Sequence, residues 1–135
     1  MKAFALHLQD ATRIVEHPQV RSFVGEDRSG SFGILADHGR LVTVLVTGLA
    51  RFQDMEGNWQ YLAMPGAVLY FRDNVLTLST RHFLLDSDYL RISKALQQEL
   101  MAEEEKLHAV RESMRRMEEE VLKRLWSLGR EAPGP

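Results

Sequence analysis

The sequence predicts an α+β protein, β first and α second. The expected architecture is an N-terminal antiparallel β-sandwich followed by a C-terminal helical hairpin or a single long helix. Three observations carry this. Residues 1–85 hold 15 of the 18 Val, Ile and Thr residues and seven of the nine glycines. Residues 86–135 retain only Ile92, Val110 and Val121 from the β-branched set. No Gly or Pro occurs from Ala67 through Leu128. Branched side chains suit a pleated sheet, and their absence, with few breakers, suits a helix. The domains are therefore drawn as a β-sandwich over 1–85, a helical domain over 86–129 and a flexible tail over 130–135.

The β elements follow in order. Phe4, Leu6 and Leu8 alternate with Ala5 and His7, the pattern of a half-buried strand. Ile14-Val15 forms a short second strand, and His17-Pro18 reads as a break after it. Val20 to Val24 is a third strand. Leu41 to Val46 is apolar or β-branched throughout, as expected of a strand covered on both sides. Gly48 interrupts it, and Leu49 to Asp54 begins another. Glu56-Gly57-Asn58 turns the chain into Trp59 to Met64, which ends at Pro65-Gly66. Ala67 to Phe71 and Val75 to Thr80 flank Arg72-Asp73-Asn74, a second hairpin turn.

Asp86-Ser87-Asp88 supplies helix N-caps. Tyr89, Ile92, Leu96 and Leu100 then fall at helical spacing. A second series, Leu107, Val110, Met114, Met117, Val121, Leu125 and Leu128, resembles a coiled-coil seam. Between them, at Ala102–Lys106, the stripe is interrupted. A turn there gives a hairpin; no turn gives one helix roughly 60 Å long at 1.5 Å per residue. Loss of the stripe favours the turn, and the absence of Gly, Pro, Asn or Asp favours the continuous form.

Composition excludes several classes. The 135 residues carry 17 Lys+Arg against 19 Asp+Glu, a net charge of −2. That balance argues against a dedicated nucleic-acid binder. With no cysteine, disulfide scaffolds, thiol catalysis and cysteine-ligated zinc are excluded. No apolar run approaches the ~20 residues of a membrane helix, so membrane association is expected only through a complex.

Local candidates for chemistry have plainer readings. Asp37-His38 lacks a nucleophile, and adjacent strand residues point to opposite faces. His38 is read as a structural turn histidine. The five histidines show no metal-ligand spacing, so no metal or other cofactor is expected. Gly30-x-x-Gly33 lacks the Lys-Ser/Thr ending of a phosphate loop. Trp59, Tyr61, Tyr70 and Phe71 have no basic groove beside them, and are read as core or partner-facing aromatics.

The segment Gly30-Ser31-Phe32-Gly33-Ile34-Leu35-Ala36-Asp37-His38 resembles the G-x-x-G-I/L-L-P-x-H turn signature of the epsilon subunit of F-type ATP synthases. Gly30, Gly33, Ile34, Leu35 and His38 are its matching positions, and Ala36 replaces the usual Pro. The resemblance continues in order through Leu41–Leu45, Thr47–Phe52, Tyr61–Val68 and Asn74–Ser79. Ser79-Thr80-Arg81, Asp86-Ser87-Asp88 and the ending Arg124–Gly129 look most like the alternate, N-type bacterial subunit, often sodium-linked. The resemblance implies a non-catalytic central-stalk subunit, peripheral on the cytoplasmic face of the bacterial membrane. Its sandwich would bind the gamma subunit and sit on the c ring. Its helical domain would reach the alpha/beta catalytic hexamer and restrain ATP hydrolysis. Arg111, Arg115, Arg116, Lys123 and Arg124 are the expected contacts with acidic segments of the catalytic subunits. Some family members bind regulatory ATP through an Asp-x-x-Arg-containing motif, which here falls on Asp88 and Arg91. At that spacing the two equally form a local ion pair, and that reading is preferred. The alternative function is a free-standing β-domain adaptor with a coiled-coil docking helix.

Overall fold

The computed structural model describes residues 2–131, with side chains through Gly129. The chain divides into two compact units, one ending at Leu96 and one beginning at Gln97. Among the described residues nine strands precede one helix: β1 (Phe4–Gln9), β2 (Ile14–Asp27), β3 (Gly30–Leu35), β4 (Leu41–Leu45), β5 (Gly48–Asp54), β6 (Trp59–Met64), β7 (Ala67–Arg72), β8 (Val75–Ser79), β9 (Leu84–Asp86) and α1 (Tyr89–Glu131).

Two layers share β2. The start of β2 pairs with β1, which continues through β8 and β7 to β4. The end of β2 lies between β3 and β5, and that layer continues through β6 to β9. All pairings are antiparallel except β1 with β8, which is parallel. The expected antiparallel sandwich is found, with this one parallel pair within it. The core between the layers is built from alternating residues, among them Leu6 and Leu8 of β1, Phe23 of β2, Phe52 of β5, Leu69 and Phe71 of β7 and Leu76 of β8. Phe4 and Phe71 meet edge to face at 5.6 Å, the arrangement aromatic quadrupoles favour.

Three local expectations are corrected. His17-Pro18 does not end a strand, because β2 runs through it. The register against β1 shifts there, from Leu6 opposite His17 to Phe4 opposite Val20. A shifted register leaves residues unpaired, so the N–H that Pro18 lacks is not needed. The strand expected to end at Val24 continues to Asp27. Gly25 permits this: a Cβ there would stand 2.8 Å from the Phe23 ring and 3.2 Å from Leu45. Gly30–Leu35, read as a turn, is strand β3, and the turns lie on either side of it, at Arg28-Ser29 and Ala36-Asp37.

Two polar clasps close the sandwich. Asp37 adopts φ 66° between β3 and β4. Its backbone N–H donates to Asn74 Oδ1 at 2.6 Å, and Asn74 Nδ2 donates to Asp37 Oδ1 at 2.9 Å. Lys2 Nζ pairs with the other Asp37 oxygen at 2.8 Å. Elsewhere Arg13, between β1 and β2, donates to the Phe83 carbonyl and lies 4.0 Å over the Phe83 ring.

The helix is single and spans 43 residues, roughly 65 Å at 1.5 Å per residue. Its continuity through Ala102–Lys106 follows from local propensity, since Ala, Glu and Lys are strong helix formers. The hairpin alternative is thereby set aside. Of the tail expected at 130–135, Arg130 and Glu131 are helical in backbone, and the rest lies outside the described residues.

Candidate docking surfaces

The outer face of the β1–β8–β7–β4 layer can be read from its register. One row crosses it as Ile14, Gln9, Ser79, Val68 and Val44. The next crosses as Glu16, His7, Thr77, Tyr70 and Val42. Gln9 Nε2 donates to Ser79 Oγ at 2.7 Å within the first row. The face is apolar toward β4: Val42 and Val44 are 64% and 63% exposed, and Val68 is 51% exposed. Charge enters these two rows only at Glu16, on the edge. The β4 segment was expected to be covered on both sides. In this unit it is covered on one, with Leu45 buried and Val42 and Val44 open. The unbroken apolar run was the available signal: it marks a strand meant to be covered twice, here once by its own core. A contiguous apolar surface of this kind is what partner-binding faces present.

The signature positions serve different ends. Ile34 is fully buried and stands opposite Phe23, whereas Leu35 is 63% exposed. Gly30 takes φ 123° after Asp27, whose carboxylate accepts from the Ser29 N–H at 2.9 Å and from Thr43 Oγ1 at 2.8 Å. Gly33 is in ordinary strand conformation, and a Cβ there would stand 3.7 Å from the Phe23 carbonyl, an unstrained distance. The His38 ring packs edge-on to Phe71 at 5.9 Å and reaches the Gly39 carbonyl through Nδ1 at 2.8 Å. Of the four aromatics considered for stacking, Phe71 is core, Tyr61 meets Tyr89 at 5.4 Å, Trp59 carries Arg51 over its ring at 5.0 Å, and Tyr70 is on the outer sheet face.

Asp88 and Arg91 do not form the expected ion pair. Asp88 caps the helix, accepting the Arg91 N–H at 3.1 Å. The Arg91 guanidinium instead forks onto Asp86, Nε to Oδ2 at 2.5 Å and Nη2 to Oδ1 at 2.7 Å. These bonds, with the Asp88 N–H, hold the Asp86 carboxyl down at about 2, from an ordinary 3.8. A carboxyl lowered on folding stabilises fully above its unfolded value and loses that contribution as pH falls through the folded one. The Asp86 carboxyl carbon is therefore expected to titrate by NMR near 2, and near 4 in Arg91→Ala. An unchanged midpoint in the variant would show that the fork is not formed in solution.

The five basic helix positions do not share one face. At about 100° per residue, Arg111 and Arg124 border the Leu107–Leu128 seam on opposite sides. Arg116 and Lys123 fall on the back, and Arg115 lies between, pairing with Glu112 at 2.9 Å. All five are exposed. Among the described residues no helix is long and apolar enough to cross a membrane, and no group of three His, Cys, Asp or Glu could hold a metal ion.

Comparison with known proteins bears on these surfaces. Residues 3–85 match the family described as ATP synthase, Delta/Epsilon chain, beta-sandwich domain. Over 122 residues the chain is 29% identical to ATP synthase epsilon chain 2 of Cereibacter sphaeroides, covering 90% of this chain and 84% of that one. It is 27% identical over 66 residues to the chloroplastic ATP synthase epsilon chain of Pelargonium hortorum, 49% of each. Among solved structures it is similar to a chain of the Euglena gracilis mitochondrial ATP synthase, OSCP/F1/c-ring, with TM-score 0.59 at 20% identity, over 71% of this chain and 62% of that chain. It is also similar to a chain of the Tetrahymena thermophila mitochondrial ATP synthase central stalk/c-ring, with TM-score 0.53 at 11% identity, over 62% of this chain and 66% of that chain. At those identities the structural likeness concerns the fold.

Proposed function

The chain belongs to the ATP synthase delta/epsilon family through its β-sandwich domain, and from that premise we propose how its surfaces serve the rotor. It is an epsilon-type, non-catalytic subunit of the F-type ATP synthase central stalk, part of a complex at a membrane. The proposal begins with the partners. The open apolar face around Val42, Val44, Val68 and Tyr70 docks the gamma subunit, and that face is the observation that carries the reading. Burying it would remove apolar surface from water.

The sandwich also rests on the c ring, so gamma, ring and sandwich turn as one body during ATP synthesis and ion transport. A close-packed two-layer core supports this, because packed interiors deform little under load. The complex lies on the cytoplasmic face of a bacterial membrane, with this chain peripheral. The helical domain reaches the alpha/beta hexamer and restrains hydrolysis through Arg111, Arg115, Arg116, Lys123 and Arg124. Their placement around the helix fits a site that surrounds it better than one flat acidic surface. Asp88 and Arg91 act as cap and fork at the helix start, and regulatory ATP would have to displace Asp86 to reach Arg91.

Affinity capture of the tagged chain from solubilised membranes of its source cell tests the assignment. Gamma, alpha, beta and c subunits are expected together. Recovery alone at every salt concentration would overturn the stalk role and restore the adaptor alternative. In the captured complex, replacing all five basic residues by Ala is expected to raise ATP hydrolysis. An unchanged rate removes the basic-contact role while leaving the stalk assignment standing.

A further inference from the structure

From Leu107 to Val121 the helix carries Leu107, Val110, Met114, Met117 and Val121 in 3/4 alternation, each 53–63% exposed. In heptad terms Leu107, Met114 and Val121 take a, and Val110 and Met117 take d. The same frame puts charges in the seam: Glu103 and Arg124 both fall at d. It puts Lys106 at g, and Arg111 and Glu118 at e.

These charges discriminate between the ways of covering the seam with a like helix. A parallel pair in register sets Glu103 against Glu103, Arg124 against Arg124, and Lys106 against Arg111. Each is a like-charge meeting. An antiparallel pair centred between Met114 and Met117 removes all three. It layers Met114 on Met117 and Val110 on Val121, each twice by symmetry. In antiparallel coiled coils e faces e, so Arg111 of one copy meets Glu118 of the other, again twice. Arg124 of one copy falls beside Leu107, one layer from Glu103, where its stem can cover the leucine and its head can reach a carboxylate.

We propose that in the free chain a second copy covers this seam as an antiparallel helix pair over about residues 103–128. The pairing concerns only the unit that begins at Gln97 and does not depend on the stalk assignment. It gives the unassembled chain a way to hide the seam, and assembly then requires the pair to separate.

The sequence has no cysteine, so introduced thiols report register cleanly. The full chain in sedimentation equilibrium is expected to approach twice its 15.5 kDa mass as concentration rises, and Met117→Glu, at an exposed site, is expected to remain monomeric. Under mild oxidation, an equimolar mixture of Val110→Cys and Val121→Cys is expected to give the mixed disulfide as the main product. Val110→Cys alone is expected to give little, since antiparallel pairing separates its two copies by roughly 16 Å along the axis, beyond disulfide reach. Efficient self-linking of Val110→Cys would overturn the antiparallel assignment. A monomer at every concentration would overturn the pairing altogether, whether the helix folds back or stays single.

Discussion

Val44→Lys combined with Val68→Glu is expected to abolish recovery of the chain with gamma while leaving its fold intact. The two residues stand directly opposite each other on β4 and β7, and both point away from the core. Opposite charges at a cross-strand pair are compatible with the sheet, so the isolated chain should unfold within about 1 kcal/mol of the parent. In a docked interface the same charges must be stripped of water, at a cost of several kcal/mol per ion in effective terms. Co-purification should therefore fall by orders of magnitude although urea unfolding barely moves. Normal recovery of the variant would place the gamma contact elsewhere on the sandwich. The choice of a charge pair matters: two acids at these positions would confound sheet repulsion with lost docking.

Phe52→Ala should show the reverse pattern. Phe52 is 1% exposed, faces Phe23 across β2 and β5, and packs at 4.9 Å against the His17 ring. Truncating a buried Phe removes its transfer free energy and leaves a cavity, typically about 3–5 kcal/mol. Domains of this size have only about 5–15 kcal/mol in hand. Urea unfolding should shift by a large fraction of the total, and soluble yield should fall with it. A loss below about 1 kcal/mol would mean that the β2–β5 contact is not part of the cooperative core.

Legibility in the sequence followed the range of the interaction involved. Hairpins β5–β6 and β7–β8 were readable because their turns are local: Glu56-Gly57-Asn58 and Arg72-Asp73-Asn74 name themselves, the latter with positive φ at Asp73 and Asn74. The helix cap at Asp88 was readable for the same reason. The passage of β2 through Pro18 was not, because whether a proline breaks a strand depends on the register of the strand beside it. The signature around Gly30 and Gly33 implies a turn, whereas pairing with β2 from Ser22 to Asp27 holds β3 extended. Helical spacing points Arg91 to Asp88, but the guanidinium reaches back to Asp86, outside the helix. The helix stripe suggested a turn at Ala102–Lys106, but loss of burial does not break backbone hydrogen bonds, and the residues there are good helix formers.

By itself the sequence determined the class and the family, because β-branching, helix propensity and turn chemistry are properties of short segments. The signature from Gly30 to His38 and its ordered continuation are likewise linear. The tertiary structure alone decided which side of each apolar strand is closed. Val42 and Leu45 are equally apolar on paper, yet one is 64% exposed and the other 3%. Periodicity says that two faces differ, and an unbroken apolar run says that both want cover. Only the stacking of one layer on another says which face is already covered and which is left for a partner.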